Sequence, residues 1–429
     1  MSEFIKLSDL AILITKGSTP TTYGYSFKDE GIPFIKAEAL NGEVSLDIKG
    51  FSYVDEETHN FLKRSKIYPN DILMTIAGAN IGKVGFVRDN IIEANTNQAV
   101  AIIRLDQEKV CSQFYYYYFK QNSFFRFVQS LNAQAAQPNI NLKMIGDFPV
   151  PRLDLNTQRK VVELLGNIDD LYICNQDRIS KLDKIISNIY TDWFINFKFP
   201  NHEQVNFVDG IPEGWVSTTI NDVCTTVSGG TPSTKVEAYW ENGSIEWVTP
   251  TDITKLKSLI LLNPEKKISQ LGLEKSSAKL LPPNTILMTS RASIGYFGLI
   301  DKEVCTNQGF ISIIPDREIL RYYLLFNLKS RISEIDALAS GATFKEISKS
   351  TFRSMPILIP SDKVLEAFDN VVRPIISQMR NLELQNDNLL KLKETLLPRL
   401  MSGELDVQNF QVLNKHEKNC VLARFFFTT

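Results

Sequence analysis

An α/β fold is predicted, built as two tandem globular domains separated by two long antiparallel coiled-coil helices. Three observations predict it. The first is the series Val161, Leu165, Ile168, Tyr172, Asn175, Ile179, Leu182, Ile186, Ile189 and Trp193. It advances by alternating steps of four and three residues and is apolar except at Asn175, which is the spacing of a coiled-coil seam. The second is the return of that spacing at Val364, Phe368, Val371, Ile375, Gln378, Leu382, Gln385, Leu389, Leu392 and Leu396. The third is an internal repeat. Gly17-Ser18-Thr19-Pro20 is echoed by Gly229-Gly230-Thr231-Pro232 at an offset of 212 (232 − 20), and Pro69 to Thr75 by Pro283 to Thr289 at 214 (288 − 74). Thr96-Asn97-Gln98 returns as Thr306-Asn307-Gln308 at 210 (306 − 96), and Phe148-Pro149-Val150 as Met355-Pro356-Ile357 at 207 (356 − 149). Matches kept in order, with an offset that drifts as loop insertions would make it, mark a tandem duplication.

Taken in order, residues 1–152 form the first globular domain and 153–200 the central helical region. Residues 201–360 form the second domain, 361–405 the C-terminal helical region, and 406–429 a tail without clear period. The apolar runs Ile32 to Ala37, Asp71 to Ile76, Ile245 to Thr249 and Thr285 to Ser290 read as strands, with Gly82, Gly85, Gly295 and Gly298 marking turns after them. Phe114 to Phe119 and Tyr322 to Phe326 read as buried helices, and Ser123 to Leu131 as helical. Bulk is kept in both aromatic runs while most rings are lost from the second, which favours core packing over base stacking. Gly166 and Pro374 are expected to break each helical stretch, leaving Ile168 to Trp193 and Ile375 to Leu400, 26 residues each. At the α-helical rise these span about 39 Å. The seam amides Asn175, Gln378 and Gln385 either pair across helices and set register or face solvent at a shifted register; the pattern alone leaves both readings open. Phe197 to Asp209 reads as a polar linker.

Composition narrows the chemistry. The 22% of charged residues and net charge of −2 are those of an ordinary globular protein and exclude a non-specific polyanion binder, though not a locally basic groove. No apolar run approaches the roughly 18 residues of a membrane span and no basic leader precedes an apolar segment, so a cytoplasmic location is expected. The cysteines Cys111, Cys174, Cys224, Cys305 and Cys420 are widely spaced and read as reduced core residues. His59, His202 and His416 are too far apart for a histidine metal site. Gly78-Ala79-Asn80-Ile81-Gly82-Lys83-Val84 falls one residue short of a phosphate loop and has Val where a metal-binding hydroxyl is needed. No Asp-Pro-Pro-Tyr or Asn-Pro-Pro-Tyr tetrapeptide, GxSxG, HExxH or GxGxxG occurs, and the chain is expected to catalyse nothing itself. Two related domains held apart by helices of about 39 Å suggest a ruler, close to the roughly 34 to 36 Å of one duplex turn.

Gly229-Gly230-Thr231-Pro232, the Gln137-Pro138-Asn139-Ile140 turn before Phe148-Pro149-Val150-Pro151, and Gln158-Arg159-Lys160-Val161 carry a resemblance, joined by Ile211-Pro212-Glu213-Gly214-Trp215 and by Leu397 to Leu405. Together they resemble the specificity (S) subunits of type I restriction-modification systems over nearly the whole chain, to about Asp406. The resemblance implies two target recognition domains that each read one half of a split double-stranded DNA site, with the helices setting the gap. It also implies two modification subunits docked on the helices, and restriction subunits in the full complex. S-adenosylmethionine, ATP and magnesium would be held by those partners and no cofactor or metal by this chain. Ser361-Asp362-Lys363-Val364 departs from its counterpart Gln158-Arg159-Lys160-Val161, so the two docking surfaces need not be equivalent. The rivals are an orphan subunit without a cleavage role, a free-standing enzyme and a non-DNA helical scaffold.

Polar loop residues at matching positions are the candidate DNA contacts: Thr19, Lys36, Asn80, Lys83, Asn97, Gln98, Gln137 and Asn139 in the first domain. In the second they are Thr231, Lys235, Thr249, Arg291, Ser293, Asn307, Gln308 and Lys345. Amides suit adenine, and Arg or Lys suits guanine or phosphate. The shared pairs Asn97-Gln98 and Asn307-Gln308 read better as structural, bonding a nearby turn, because both domains carry them while reading different sequences. Positions that differ between domains, such as Lys36 against Thr249, are better candidates for specificity. The coiled-coil and docking candidates are Val161, Leu165, Ile168, Asn175, Ile179, Leu182, Ile186, Ile189, Ile375, Leu382, Leu389, Leu392 and Leu396.

Overall fold

Both halves of the chain build the same central sheet, because the duplicated apolar runs bury both faces of the same strands, while the mixed sheet beside it has four strands in the first half and three in the second. The computed structural model describes residues 3–41, 44–47, 50–78, 80–132, 140–341 and 345–407. Ile72–Thr75 and Ile286–Thr289 have the same sequence, ILMT, and are buried throughout, as a central strand covered on both faces requires. Each lies in a four-stranded antiparallel sheet: Ala11–Lys16, Val100–Leu105, Ile72–Thr75, Val84–Phe86 in one half, and Cys224–Val227, Phe310–Pro315, Ile286–Thr289, Phe297–Leu299 in the other. A second, mixed sheet contains the parallel pair Ile35 opposite Thr96 in the first half and Val248 opposite Thr306 in the second. A two-stranded ribbon closes each half, Phe4–Lys6 against Pro149–Pro151 and Val216–Thr219 against Pro356–Ile359.

The aromatic runs are helices: α1 (Ser112–Lys120) carries the fully buried Phe114, Tyr115, Tyr117 and Phe119, followed by a helix over Asn122–Asn132. The Tyr115 hydroxyl donates to the Pro151 carbonyl at 3.1 Å, and burial pushes its pKa up to about 12. Then α2 (Leu155–Tyr190) runs 36 residues without a break, ending in a π-helical turn over Thr191–Ile195. In the second half α3 (Arg321–Ser330) repeats α1, and α4 (Asp362–Met401) runs 40 residues. The expected interruptions are therefore absent. An added Cβ at Gly166 would come no closer than 3.9 Å to its neighbours, and Pro374 sits on an exposed face. Its missing N–H and ring clash cost helix stability, but Val372, Ile376 and Met379 on the opposite face are buried in the core and hold the helix through it.

The described residues form two compact units. One comprises residues up to Ile173 with those from Asn388 onward, the other Cys174–Asp387, so each long helix contributes to both. In the first unit Val161 and Leu165 of α2 share a core with Leu397, Leu400, Met401 and Val407. In the second, Ile179, Ile186 and Tyr190 of α2 share one with Leu365, Phe368, Val372, Ile376, Met379 and Leu382 of α4. Within that second unit Asn175 meets Asn386 and Trp193 meets Phe368, so the two helices run antiparallel.

The α2 seam lies where its spacing predicts, with Val161, Leu165, Ile168, Asn175, Ile179 and Ile186 buried and Leu182 and Ile189 partly so. The α4 seam does so only at Val364, Phe368 and Leu382. Its buried line is Val364, Leu365, Phe368, Val372, Ile376, Met379, Leu382, Asn386, Lys393, Leu397 and Leu400. Leu392 is 47% and Val371 40% exposed, Gln378 faces solvent, and Ile375, Leu389 and Leu396 are half-buried. The expected register is off by one residue over most of the helix, because Leu and Val at neighbouring positions make two apolar stripes that periodicity alone cannot rank. Two further expectations change. Phe197 to Asp209 is tied down, with Phe199 buried and both Phe197 and Phe199 packed on Trp215 at 5.4 Å. Gly85 and Gly298 lie inside strands, where an added Cβ would come within 2.4 Å of Leu46 and 2.6 Å of Ile253 respectively.

Candidate functional site

Two shared motifs, far apart in sequence, are brought together in both units. In the first, the chain leaves strand Ala11–Lys16 at Gly17, whose N–H donates to Val100 O at 3.2 Å while Ser18 N–H donates to Thr96 O at 3.1 Å. A Cβ on Gly17 would sit 2.0 Å from the Thr96 carbonyl oxygen, so only glycine lets the loop lie this close. In the second unit Gly230 N–H donates to Thr306 O at 2.8 Å, and a Cβ on Gly229 would again sit 2.0 Å from that carbonyl oxygen. The Thr19 hydroxyl donates to Gln98 Oε1, and the Thr231 hydroxyl to Gln308 Oε1 at 2.5 Å. The asparagines between act locally, Asn97 Oδ1 accepting from Ala99 N–H at 3.2 Å and Asn307 Oδ1 from Gly309 N–H at 2.9 Å. These are turn-stabilising bonds of the Asx kind. Gln98 and Gln308 themselves are exposed.

The remaining loop candidates are more dispersed. Arg291, Ser293 and Lys345 gather at one place, where Ala292 N–H donates to Lys345 O at 3.0 Å and Thr289 Oγ1 to Ser293 O at 2.5 Å. Arg291 lies 3.9 Å from Glu346 and Lys345 bridges to Asp336 at 3.1 Å. Ala292 adopts φ 60°, a left-handed position in this tight turn. Thr249 is occupied locally, as the N-cap of Pro250–Thr254 in a capping box with Asp252. Lys36 lies half-buried with its ammonium 4.2 Å above the Phe27 ring, Lys235 is exposed, and Asn80 and Lys83 are half-buried in the turn after Ile72–Thr75. Gln137 and Asn139 lie outside the described residues.

A second site escaped the sequence reading. Asp169 of α2 is fully buried in the first unit. Its carboxylate accepts from Lys393 Nζ of α4 at 2.5 Å and from the Tyr117 hydroxyl of α1 at 2.8 Å, while Arg88 lies 3.8 Å away and pairs with Asp170 at 2.8 Å. Lys393 also lies 4.9 Å over the Tyr117 ring. Burial pushes the Lys393 pKa down against the opposing pull of Asp169, and burial with the Asp169 charge pushes Tyr117 well above its ordinary value. In the second unit Asn175 donates to Asn386 Oδ1 at 3.1 Å inside the helix pair. Neither Lys393 nor Asn386 was legible, since each sits one position from a leucine or a glutamine that fits the seam as well.

The thiols of Cys224 and Cys305 are buried, and burial pushes them up to about 12 and about 11. Cys174 is exposed and Cys111 half-buried, so the expected burial of all cysteines does not hold; Cys420 lies outside the described residues. Among the described residues no group of three or more His, Cys, Asp or Glu side chains could hold a metal ion, and no helix is long and apolar enough to cross a membrane.

A family model described as the type I restriction modification DNA specificity domain matches residues 2–184 and again 212–392. The chain belongs to this family. The specificity subunit of the EcoR124I/EcoR124II type I restriction enzyme of Escherichia coli is 25% identical over 397 residues, 87% of this chain and 89% of that protein. The MjaIX specificity subunit of Methanocaldococcus jannaschii is 31% identical over 202 residues, 47% of this chain, and the match spans only 46% of that relative's length. A crystal structure of the S subunit from M. genitalium shares the fold at TM-score 0.56, with 14% identity and 96% of each chain covered. Specificity subunits are the non-catalytic components of these restriction enzymes.

Proposed function

We propose that each unit of this type I specificity subunit reads one half of a bipartite double-stranded DNA site. The long helices set the gap and dock two modification subunits, which carry S-adenosylmethionine, with restriction subunits carrying ATP and magnesium in the full complex. What carries this reading is the duplication itself: both units build the same central four-stranded sheet and the same glycine-threonine loop seated on a Thr-Asn-Gln turn. Yet the residues around that loop differ, as Lys36 against Thr249 and Lys83 against Tyr296. Equal frames with unequal edges suit two modules that bind one polymer at two different sequences. The helices, 36 and 40 residues long, are the elements that both units share and therefore the parts able to fix a spacing.

The test is a map of adenine methylation across the host genome with and without the gene. Loss of methylation at a single split motif, two short halves with a fixed gap, is expected. Unchanged methylation combined with co-purification of a modification subunit would assign an orphan subunit instead.

A further inference from the structure

The first two residues of the shared Thr-Asn-Gln turn face inward or brace the turn, and the last reaches the surface. Thr96 Oγ1 donates to Ile35 O at 2.6 Å, Thr306 lies fully buried beneath Gly229, and Asn97 and Asn307 brace the turn. Gln98 and Gln308 project to the surface, and in both units a threonine hydroxyl takes up the side-chain oxygen. An amide whose oxygen accepts from a threonine hydroxyl turns its NH2 away from that partner, leaving its two donors facing outward. Neither NH2 makes a hydrogen bond among the described residues.

We propose that Gln98 and Gln308 are matched backbone anchors that donate to DNA phosphate oxygens, held in aim by Thr19 and Thr231. This rests on the DNA-reading function proposed above. The identity of the two sites decides between phosphate and base: units that read different half-sites have no use for the same base contact, whereas the phosphate backbone is the same everywhere, and such contacts position without specifying. The aimed amide also explains why Thr-Pro and Thr-Asn-Gln persist together across an otherwise diverged repeat, since the threonine and the glutamine are one device.

The experiment uses the full chain assembled with its modification subunits. It compares Gln98→Ala, Gln308→Ala and Thr231→Val with the parent on the methylated motif and on an unrelated duplex of equal length. A neutral hydrogen bond of the usual net size corresponds to roughly two- to tenfold in affinity. Each Gln→Ala is expected to weaken both duplexes by a similar factor in that range, with no change in the methylated motif or in the slope of affinity against salt, because no cation is removed. Thr231→Val, which leaves the glutamine in place but unaimed, is expected to give part of the same loss at an unchanged melting temperature. A relaxed or altered motif would overturn the assignment in favour of base reading, and unchanged affinity with a lowered melting temperature would reduce the pair to packing. Failure of the parent complex to bind either duplex would instead strike the DNA-reading function itself.

Discussion

The two units seat their globular parts on the helices in different ways. The ribbons fix the correspondence: the Tyr115 hydroxyl donates to Pro151 O and that of Tyr323 to Leu358 O, an offset of 207 (358 − 151) between carbonyls and 208 (323 − 115) between rings. At those offsets Asp169 corresponds to Ile376, Lys393 to Ile186 and Tyr117 to Leu325. The first set is a buried ion pair with a tyrosine, the second three aliphatic side chains in one core. The same fold is thus closed by either chemistry, so the charges are not needed to form the seat. What they add is selectivity: a buried carboxylate is tolerable only opposite donors.

Breaking that polar set gives the largest expected effect. Lys393→Ile alone leaves Asp169 buried with Tyr117 and Arg88 as its remaining partners, and Asp169→Ile alone strands an ammonium in the core. Removing one partner of a buried pair typically costs about 3–5 kcal/mol. The combination Asp169→Ile, Lys393→Ile and Tyr117→Leu, which copies the second unit, is expected to recover most of the loss or exceed the parent. Thermal unfolding of the four chains checks this; additive losses would show that the three side chains do not act as a set.

The asymmetry also explains what the sequence could and could not reveal. Duplication, strands, buried aromatic helices and the α2 seam were legible because each rests on a local period or a repeated string. Asp169 and Lys393 were not, because a charged residue next to Ile168 or Leu392 looks solvent-facing until the partner helix is placed. The register of α4 failed for the same reason, as Leu392 and Lys393 exchange roles only when Asp169 is known to lie opposite. Among the loop candidates, Thr19 with Gln98 and Thr231 with Gln308 met as pairs, whereas Thr249 proved to be a helix cap.

A second polar layer sharpens the comparison inside one unit. Asn175 faces Asn386, while their counterparts at the 207 offset are Leu382 and Ile179, again apolar. Asn175→Leu leaves the Asn386 amide buried without its partner, an expected loss of about 1–3 kcal/mol. Asn175→Leu with Asn386→Ile is expected to be neutral or stabilising, and a denaturant midpoint for each chain decides it.

Close by, Glu383 accepts from Gln176 at 3.3 Å, and burial raises its carboxyl above the ordinary value. An acid whose folded pKa is raised favours the folded state below its unfolded pKa, near 4.5. That advantage is lost as pH climbs from there through the folded pKa. Glu383→Gln keeps an acceptor for Gln176 and removes the buried charge. It is expected to raise stability modestly at neutral pH and to flatten the decline above the unfolded pKa; an unchanged pH profile of the melting temperature would exclude this role.

The smallest effects belong to the rims of the two seats, where the charges are exchanged. Arg88 follows Val87, whose carbonyl accepts from Asn70 N–H, and Asp301 follows Ile300, whose carbonyl accepts from Asn284 N–H, so the two correspond. Arg88 pairs with Asp170 on α2, and Asp301 with Arg380 on α4. Both pairs are partly solvated, with side-chain exposures of 28% and 69% in the first and 29% and 43% in the second, and such bridges contribute about 0.2–1 kcal/mol. Reversal should nevertheless cost more at the first rim. Arg88→Asp places a carboxylate near the buried Asp169, 3.8 Å from the present guanidinium, whereas Arg380→Asp meets the partly exposed Asp301 with the Arg321 guanidinium also nearby. Adding Asp301→Arg to Arg380→Asp is expected to restore stability fully, and adding Asp170→Arg to Arg88→Asp only in part. Melting temperatures at low and high salt separate the two cases, because screening should erase the defect at the exposed rim and leave that part of the first which acts on the buried carboxylate.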